Sequence, residues 1–349
     1  MSLDSFLRAI PKAELHVHLE GAMRPRTLLE LARRRGVSLP ADNVEGLREW
    51  FRFRDFDHFV QIYVTCSKAV QHPEDFQTLV RDFAQDQAAE NIRYSEVHFT
   101  IGTHWLNGVA IDEVLDAMAE TIREMERDEG VTVRLIPDIV RDVAAKTADL
   151  TLDWAIAAHR KGVAVALGMT GREALYPSEP LGDHFAEAAR QGLHCVAHAG
   201  ELAGPASVHS VLDSCRAERI GHGVRSIEDS GLIARLRDGR VPLEVCPSSN
   251  VCLGLFPDLA HHPFDDLRRA GLLVSVNSDD PALFDTTLSD EFRRVAEIWN
   301  DTPETLAGLA LAGFEQSFLP EPEKRAAIGS ARAAMRELAP THLGRELAI

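Results

Sequence analysis

The stretch AELHVHLEGAM, residues 13–23, decides between the two parallel-sheet architectures open to this chain. Its first eight residues alternate apolar and polar, the period of a strand. A doubly wound nucleotide-binding sheet follows its first strand with a glycine-rich loop, and HLEGAM offers a single glycine. Working outward, seven more short runs rich in Val and Ile read as strands. They are IRYSEVHFT (92–100), TVRLIPDIV (132–140), VAVALGMT (163–170), LHCVAHAG (193–200), RIGHG (219–223), PLEVCPSS (242–249) and LLVSVNSD (272–279). Amphipathic segments such as IDEVLDAMAETIREMER (111–127) and HFAEAARQG (184–192) lie between them, which is the alternation of βαβ units. Eight strands close a (β/α)8 TIM barrel, and that is the fold expected.

The interval 21–91 is too long for one crossover helix. It holds helical pieces at 26–36 and 74–90 and the aromatic run WFRFRDFDHFVQIY (50–63). It reads as a helical insertion after strand 1, near the barrel mouth, able to shape a pocket or lid. Trp50, Phe51, Phe53, Phe56 and Phe59 are expected to form the insertion's own core. Beyond residue 285, ETLAGLALAGFEQSF (304–318) and EKRAAIGSARAAMREL (323–338) are expected as extra C-terminal helices outside the barrel. No repeat, low-complexity tract or Ser/Gly linker divides the chain, so 1–349 reads as one domain.

Composition narrows the partners. With 54 acidic against 37 basic residues the formal net charge is −17, which disfavours phosphate backbones and anionic lipid surfaces. No nucleic-acid or membrane partner is expected. The start MSLDSFLRAIPKAE lacks the basic and apolar regions of a signal peptide, and a cytoplasmic location is expected. The five cysteines are an odd number without a CxxC pair, so they read as reduced, buried thiols.

Chemistry collects at the strand ends. His16 and His18 are two apart and point to one face. His198 closes the fifth strand in HAGE, three residues before Glu201; His222 closes the sixth; Asp279 and Asp280 close the eighth, where Pro281 stops it. Active sites of this barrel form at the C-terminal strand ends, so these side chains converge. Three His and one Asp with an open position suit one catalytic Zn2+ per subunit. A second metal would want a bridging group such as a carboxylated Lys ending strand 4, and VAVALGMT has none.

The motifs PKAELHVHLEGAMRP, the Gly in MTGRE, HAGE, RIGHGV, LEVCPSSN and VNSDDPALF together resemble the adenosine deaminase family of the amidohydrolase superfamily, from about residue 10 to about 320. The resemblance implies His16, His18, His198 and Asp279 as zinc ligands. It implies Glu201 as proton donor to the purine ring nitrogen beside the reacting carbon. His222 is to orient the attacking water and take its proton, Asp280 to accept a hydrogen bond from the purine, and the Gly171 backbone to bind another ring nitrogen. Burial among acidic groups is expected to keep Glu201 protonated. The HxE…PCxxC signature of the cytidine and tRNA-type deaminases is absent. A non-catalytic relative would have lost a ligand or the acid, and every position is filled.

Glu20 departs from the family pattern. Adenosine deaminases carry Asp there, bound to the ribose 5′-hydroxyl, and Glu reaches about 1.5 Å further. Relatives with Glu include adenine deaminases and deaminases of 6-aminodeoxyfutalosine. Adenine deaminases replace the glycine segment after strand 4 with a Ser/Glu-rich one, and this chain keeps Gly171. The expected substrate is therefore a 6-aminopurine nucleoside, adenosine or an analogue such as 6-aminodeoxyfutalosine, with Glu20, Gly171 and Asp280 binding it; free adenine is the alternative. His261 and His262, before Pro263, read as a helix-start loop.

Overall fold

All eight expected segments form strands in the computed structural model, which describes residues 2–349. They are β1 (Lys12–His18), β2 (Ile92–Phe99), β3 (Thr132–Val140), β4 (Ala166–Thr170), β5 (His194–Ala199), β6 (Arg219–His222), β7 (Leu243–Val245) and β8 (Val274–Val276). Each pairs in parallel with the next. A parallel bridge between Val17 and Asp279 brings the end of the sheet back to its start. There His18 N donates to the Asp279 carbonyl at 2.8 Å, and Asp279 N to the His16 carbonyl at 3.1 Å. The architecture is a (β/α)8 barrel.

The seventh and eighth strands end three or more residues earlier than the sequence suggests, and each early stop serves the site. The seventh stops at Val245 because Pro247, with no N–H to give a ladder, takes the first position of the helix Pro247–Cys252. The eighth stops at Val276, and Asn277 turns its side chain toward β1, accepting from Leu15 N at 2.9 Å and His16 N at 3.1 Å. These two N–H groups are free because β1 carries a bulge: Glu14 pairs with Ser95 but Val17 with Val97, one residue too many on β1. The bulge resets the alternation just before His16.

The interval between β1 and β2 folds as four helices, Pro25–Arg35, Val44–Trp50, Phe56–Ser67 and Pro73–Ala89. Asp55 caps the third, accepting from His58 N at 2.8 Å. Its aromatic residues divide: Phe51 and Phe59 are buried, and Phe59 stacks on Phe284 from the loop after β8 with ring centroids 5.5 Å apart. After β8 come Leu288–Trp299, Pro303–Gln316 and Glu321–Leu343; the second packs on β1 and β8, the third on the second. Four cysteines are buried as expected, but Cys252 is exposed. Among the described residues no helix is long and apolar enough to cross a membrane.

Candidate active site

The strand ends bring His16, His18, His198 and Asp279 together, each offering a ligand atom within 4.8 Å of the others. Each histidine is oriented by what its other nitrogen does. His16 Nδ1 donates to Glu244 Oε2 at 2.9 Å, and His198 Nδ1 to the Met169 carbonyl at 3.0 Å, so both present a bare Nε2. His16 Nε2 stands 3.5 Å and His18 Nε2 3.3 Å from Asp279 Oδ1, while His18 and His198 Nε2 are 3.2 Å apart. A tetrahedral ion with bonds of about 2.1 Å spaces its ligands by about 3.4 Å, so the quartet fits a Zn2+-sized ion. His16 Nε2 is buried with no hydrogen-bond partner. Burial alone lowers the His16 pKa, but Asp279 and Glu244 outweigh it and push it up to about 10, so the site calls for a cation. Ser249 Oγ donates to Asp279 Oδ2 at 2.5 Å, fixing the carboxylate.

Backbone strain marks the same place. Among the described residues seven other than glycine have positive φ, and only His222 (61°) and Asp279 (65°) of these are buried. Such conformations persist where surrounding structure enforces them, commonly at active sites.

Around the quartet stand three further groups expected from the sequence. Glu201 is buried, and burial, then the charges of Asp279 and Glu173, push its pKa well above the carboxylate range. Asp280 is also buried, with Oδ1 unpartnered, and burial beside Asp279 raises its pKa strongly. Both causes favour its protonated form, which can donate a hydrogen bond; the sequence reading gives Asp280 as an acceptor. Asp280 also explains Gly21: a Cβ there would lie 1.6 Å from Asp280 Oδ1. Gly171 lines the cavity at φ +105°, and a Cβ on it would meet Asp142 Oδ2 at 2.4 Å.

His222 is held by a directed chain. Phe264 N donates to His262 Nδ1 at 3.1 Å, which leaves the His262 proton on Nε2, 3.0 Å from Asn250 Oδ1. Asn250 Nδ2 then donates to His222 Nδ1 at 3.2 Å. Burial pushes the His222 pKa down to about 3, and the neutral ring must carry its proton on Nε2. That nitrogen lies 3.6 Å from Glu201 Oε1 and 3.9 Å from Asp279 Oδ2. In this tautomer His222 presents Nε2–H toward the quartet, in position to orient a water there, the first part of the role the sequence gives it. His262 lies in the short link before the helix Phe264–Arg269, as expected, yet it is 4% exposed, whereas its neighbour His261 is exposed.

Glu20, expected to bind substrate, is engaged with protein groups. Its carboxylate is not among the groups lining the cavity. Oε1 accepts from Thr100 N at 2.9 Å, Thr100 Oγ1 at 2.6 Å and His104 Nε2 at 3.2 Å; Oε2 accepts from Tyr63 OH at 3.0 Å. Burial opposes its charge, yet His104 and Thr100 hold its pKa at about 2. The longer side chain passes behind the wall, and Tyr63 and Thr100 face the cavity in its place.

That cavity encloses about 340 Å³, near the lower end for small-molecule sites. Its floor is His18, His198, Glu201, His222, Asp279 and Asp280. Its outer wall includes Phe56, Phe59, Val60, Leu106 and Val143, so part of the aromatic run is cavity wall as well as core. Arg172 also lines it, bound to Asp57 Oδ1 at 2.7 Å and to Asp142.

Sequence reasoning missed several residues here. His98, ending β2, packs against His18 with ring centroids 4.9 Å apart and bonds Asp138 Oδ1 at 2.9 Å. Its place at a strand end was a usable signal. Glu244, Asn250 and Asn277 lie inside quoted motifs, but their partners are far off in sequence, as with the 228 residues between His16 and Glu244.

Residues 11–332 match the family model described as adenosine deaminase. The chain is 36% identical over 333 residues to an aminodeoxyfutalosine deaminase from Streptomyces avermitilis, covering 95% of this chain and 91% of that one. It superposes on the crystal structure of an adenine deaminase from Arthrobacter aurescens with a TM-score of 0.88 at 33% identity, covering 93% and 99% of the two chains. A Burkholderia ambifaria amidohydrolase crystallised with bound Zn gives 0.90 at 25% identity, covering 98% and 95%.

Proposed function

This chain belongs to the adenosine deaminase family and is a hydrolytic deaminase acting on purines, and from that premise we propose that it converts a 6-aminopurine nucleoside to the 6-oxopurine with release of ammonia. The observation that carries the reading is the convergence of His16, His18, His198 and Asp279 beside two buried carboxyls, Glu201 and Asp280. The quartet would hold one Zn2+, which supplies the positive charge that acidifies a water and offsets negative charge at the reacting carbon.

The chain's own residues do the rest. Glu201, kept protonated by burial and by Asp279, gives its proton to N1, so that charge arriving at C6 is delocalised onto a neutral ring nitrogen. Asp280 donates to N7, a purine nitrogen with only a lone pair to offer, and fixes the ring plane. His222 orients the attacking water through Nε2–H; once Glu201 has given its proton to N1, its carboxylate takes one proton from that water, and the other leaves on the amine as ammonia. The Gly171 backbone lies against another ring edge.

The substrate class follows from the wall. Adenine is polar around most of its rim, and an outer wall of Phe56, Phe59, Val60, Leu106 and Val143 is more than the base alone requires. Arg172 is the one Lys or Arg side chain among the lining residues, and Asp57 and Asp142 already neutralise it. A 5′-phosphate has no counter-charge waiting. Adenosine or an adenosine-like compound such as 6-aminodeoxyfutalosine fits best; the similarity to adenine deaminases makes free adenine the second reading. Turnover of adenine, adenosine, 2′-deoxyadenosine, 6-aminodeoxyfutalosine and AMP, followed by loss of the adenine absorbance band, decides it. The expected result is a kcat/KM for one nucleoside above adenine and AMP by at least about tenfold, or about 1.4 kcal/mol. Preference for adenine overturns the substrate and leaves the chemistry.

A further inference from the structure

The tripeptide after β4, Gly171-Arg172-Glu173, contributes more than its glycine. The Glu173 carboxylate is 5% exposed and crosses to the loop that follows β5. Oε2 accepts from Gly200 N at 2.8 Å and Ser207 Oγ at 2.6 Å; Oε1 accepts from Glu201 N at 3.0 Å and Leu202 N at 2.9 Å. Three successive backbone N–H groups thus converge on one anion, with Gly200 at φ +66° bending the chain around it. Charge-assisted bonds of this kind are about twice as strong as neutral ones.

The residue in the middle of that cradle is Glu201. Among the described residues its carboxyl makes no hydrogen bond, and His222 Nε2 stands 3.6 Å from Oε1. The aim of the Glu201 side chain is therefore set from its backbone, and Glu173 fixes that backbone. We infer that Glu173 is a positioning residue for Glu201, holding the proton donor at the distance its reaction needs. The inference rests on the reading of Glu201 as the donor to N1. It separates the work of the tripeptide: Asp142 Oδ2 accepts from Arg172 N at 3.0 Å, so the backbone beside Gly171 is anchored without Glu173. Loss of Glu173 should consequently slow the proton transfer and spare binding of the purine.

Glu173→Gln tests this, because the amide keeps the size but places N–H groups against N–H groups. Misplacing a reacting group by about 1 Å costs up to about 100-fold. The expected result is kcat lower by about 10- to 100-fold, KM within about twofold, unchanged zinc content, and faster hydrogen exchange of the amides at 200–202. Ser207→Ala, which removes one of the four donors, should lower kcat by a few-fold at constant KM, and it carries the test if Glu173→Gln does not fold. Unchanged kcat per folded enzyme in either variant, or a loss confined to KM, overturns the inference. Glu201→Gln is measured beside them. Full turnover in that variant refutes the donor reading itself, whereas an inert Glu201→Gln with an active Glu173→Gln refutes only the positioning.

Discussion

The floor of the cavity and its outer wall are built on opposite rules. Around the floor four side chains are each fixed by a partner from another element: Glu244 for His16, the Met169 carbonyl for His198, Ser249 for Asp279, Asn250 for His222. Such a site is over-determined, and a shift of one member disturbs the rest. The wall is apolar side chains from the helix Phe56–Ser67, the short helix Ile101–Leu106 after β2 and the 3-10 turn Arg141–Val143 after β3, held by packing. Packing tolerates exchange at similar volume. On the proposed reading the floor specifies the reaction and the wall the substrate, in a family that includes an aminodeoxyfutalosine deaminase and an adenine deaminase.

Breaking the floor should cost most. Asp280→Ala removes a buried donor and leaves N7 unpaired, a cost of about 1–3 kcal/mol, so kcat/KM should fall by about 5- to 150-fold for every 6-aminopurine alike. Both Asp280 and Glu201 have raised pKa values, from burial first and neighbouring carboxylates second, and both must hold a proton to donate. The sign follows: activity is full below their pKa values and falls as pH rises through them. A pH–rate profile without that alkaline limb contradicts the assignment. Asp280→Asn keeps a donor that does not titrate and should recover part of the lost kcat/KM.

Altering the wall should cost less and should discriminate. Phe59→Ala thins the face opposite the floor and exposes Phe284 behind it. A loss of about 1 kcal/mol, roughly fivefold in KM, is expected for a nucleoside, with adenine turnover unchanged. Equal losses on both would mean that the wall touches the base and not its substituent.

This division also explains what the sequence makes legible. Strand spacing and the strand-end His16, His18, His198, His222 and Asp279 follow from periodicity and the geometry of a barrel, and all five meet as expected. What is hidden depends on three-dimensional closure. The bulge that resets β1 needs Asn277 from the far edge of the sheet. The tautomer of His222 depends on a backbone N–H at Phe264, at the far end of three hydrogen bonds. Glu20 looks like a substrate ligand from its place in HLEG, but Thr100, His104 and Tyr63, none near it in sequence, draw its carboxylate out of the cavity.

The claim on which everything else depends is that the quartet holds a catalytic zinc. Metal-free enzyme titrated with Zn2+, with bound metal and the deamination rate recorded together, tests it directly. The account predicts an inert apoenzyme whose rate rises in proportion to bound zinc and levels at about one ion per chain. Full turnover from protein that retains no metal would contradict it.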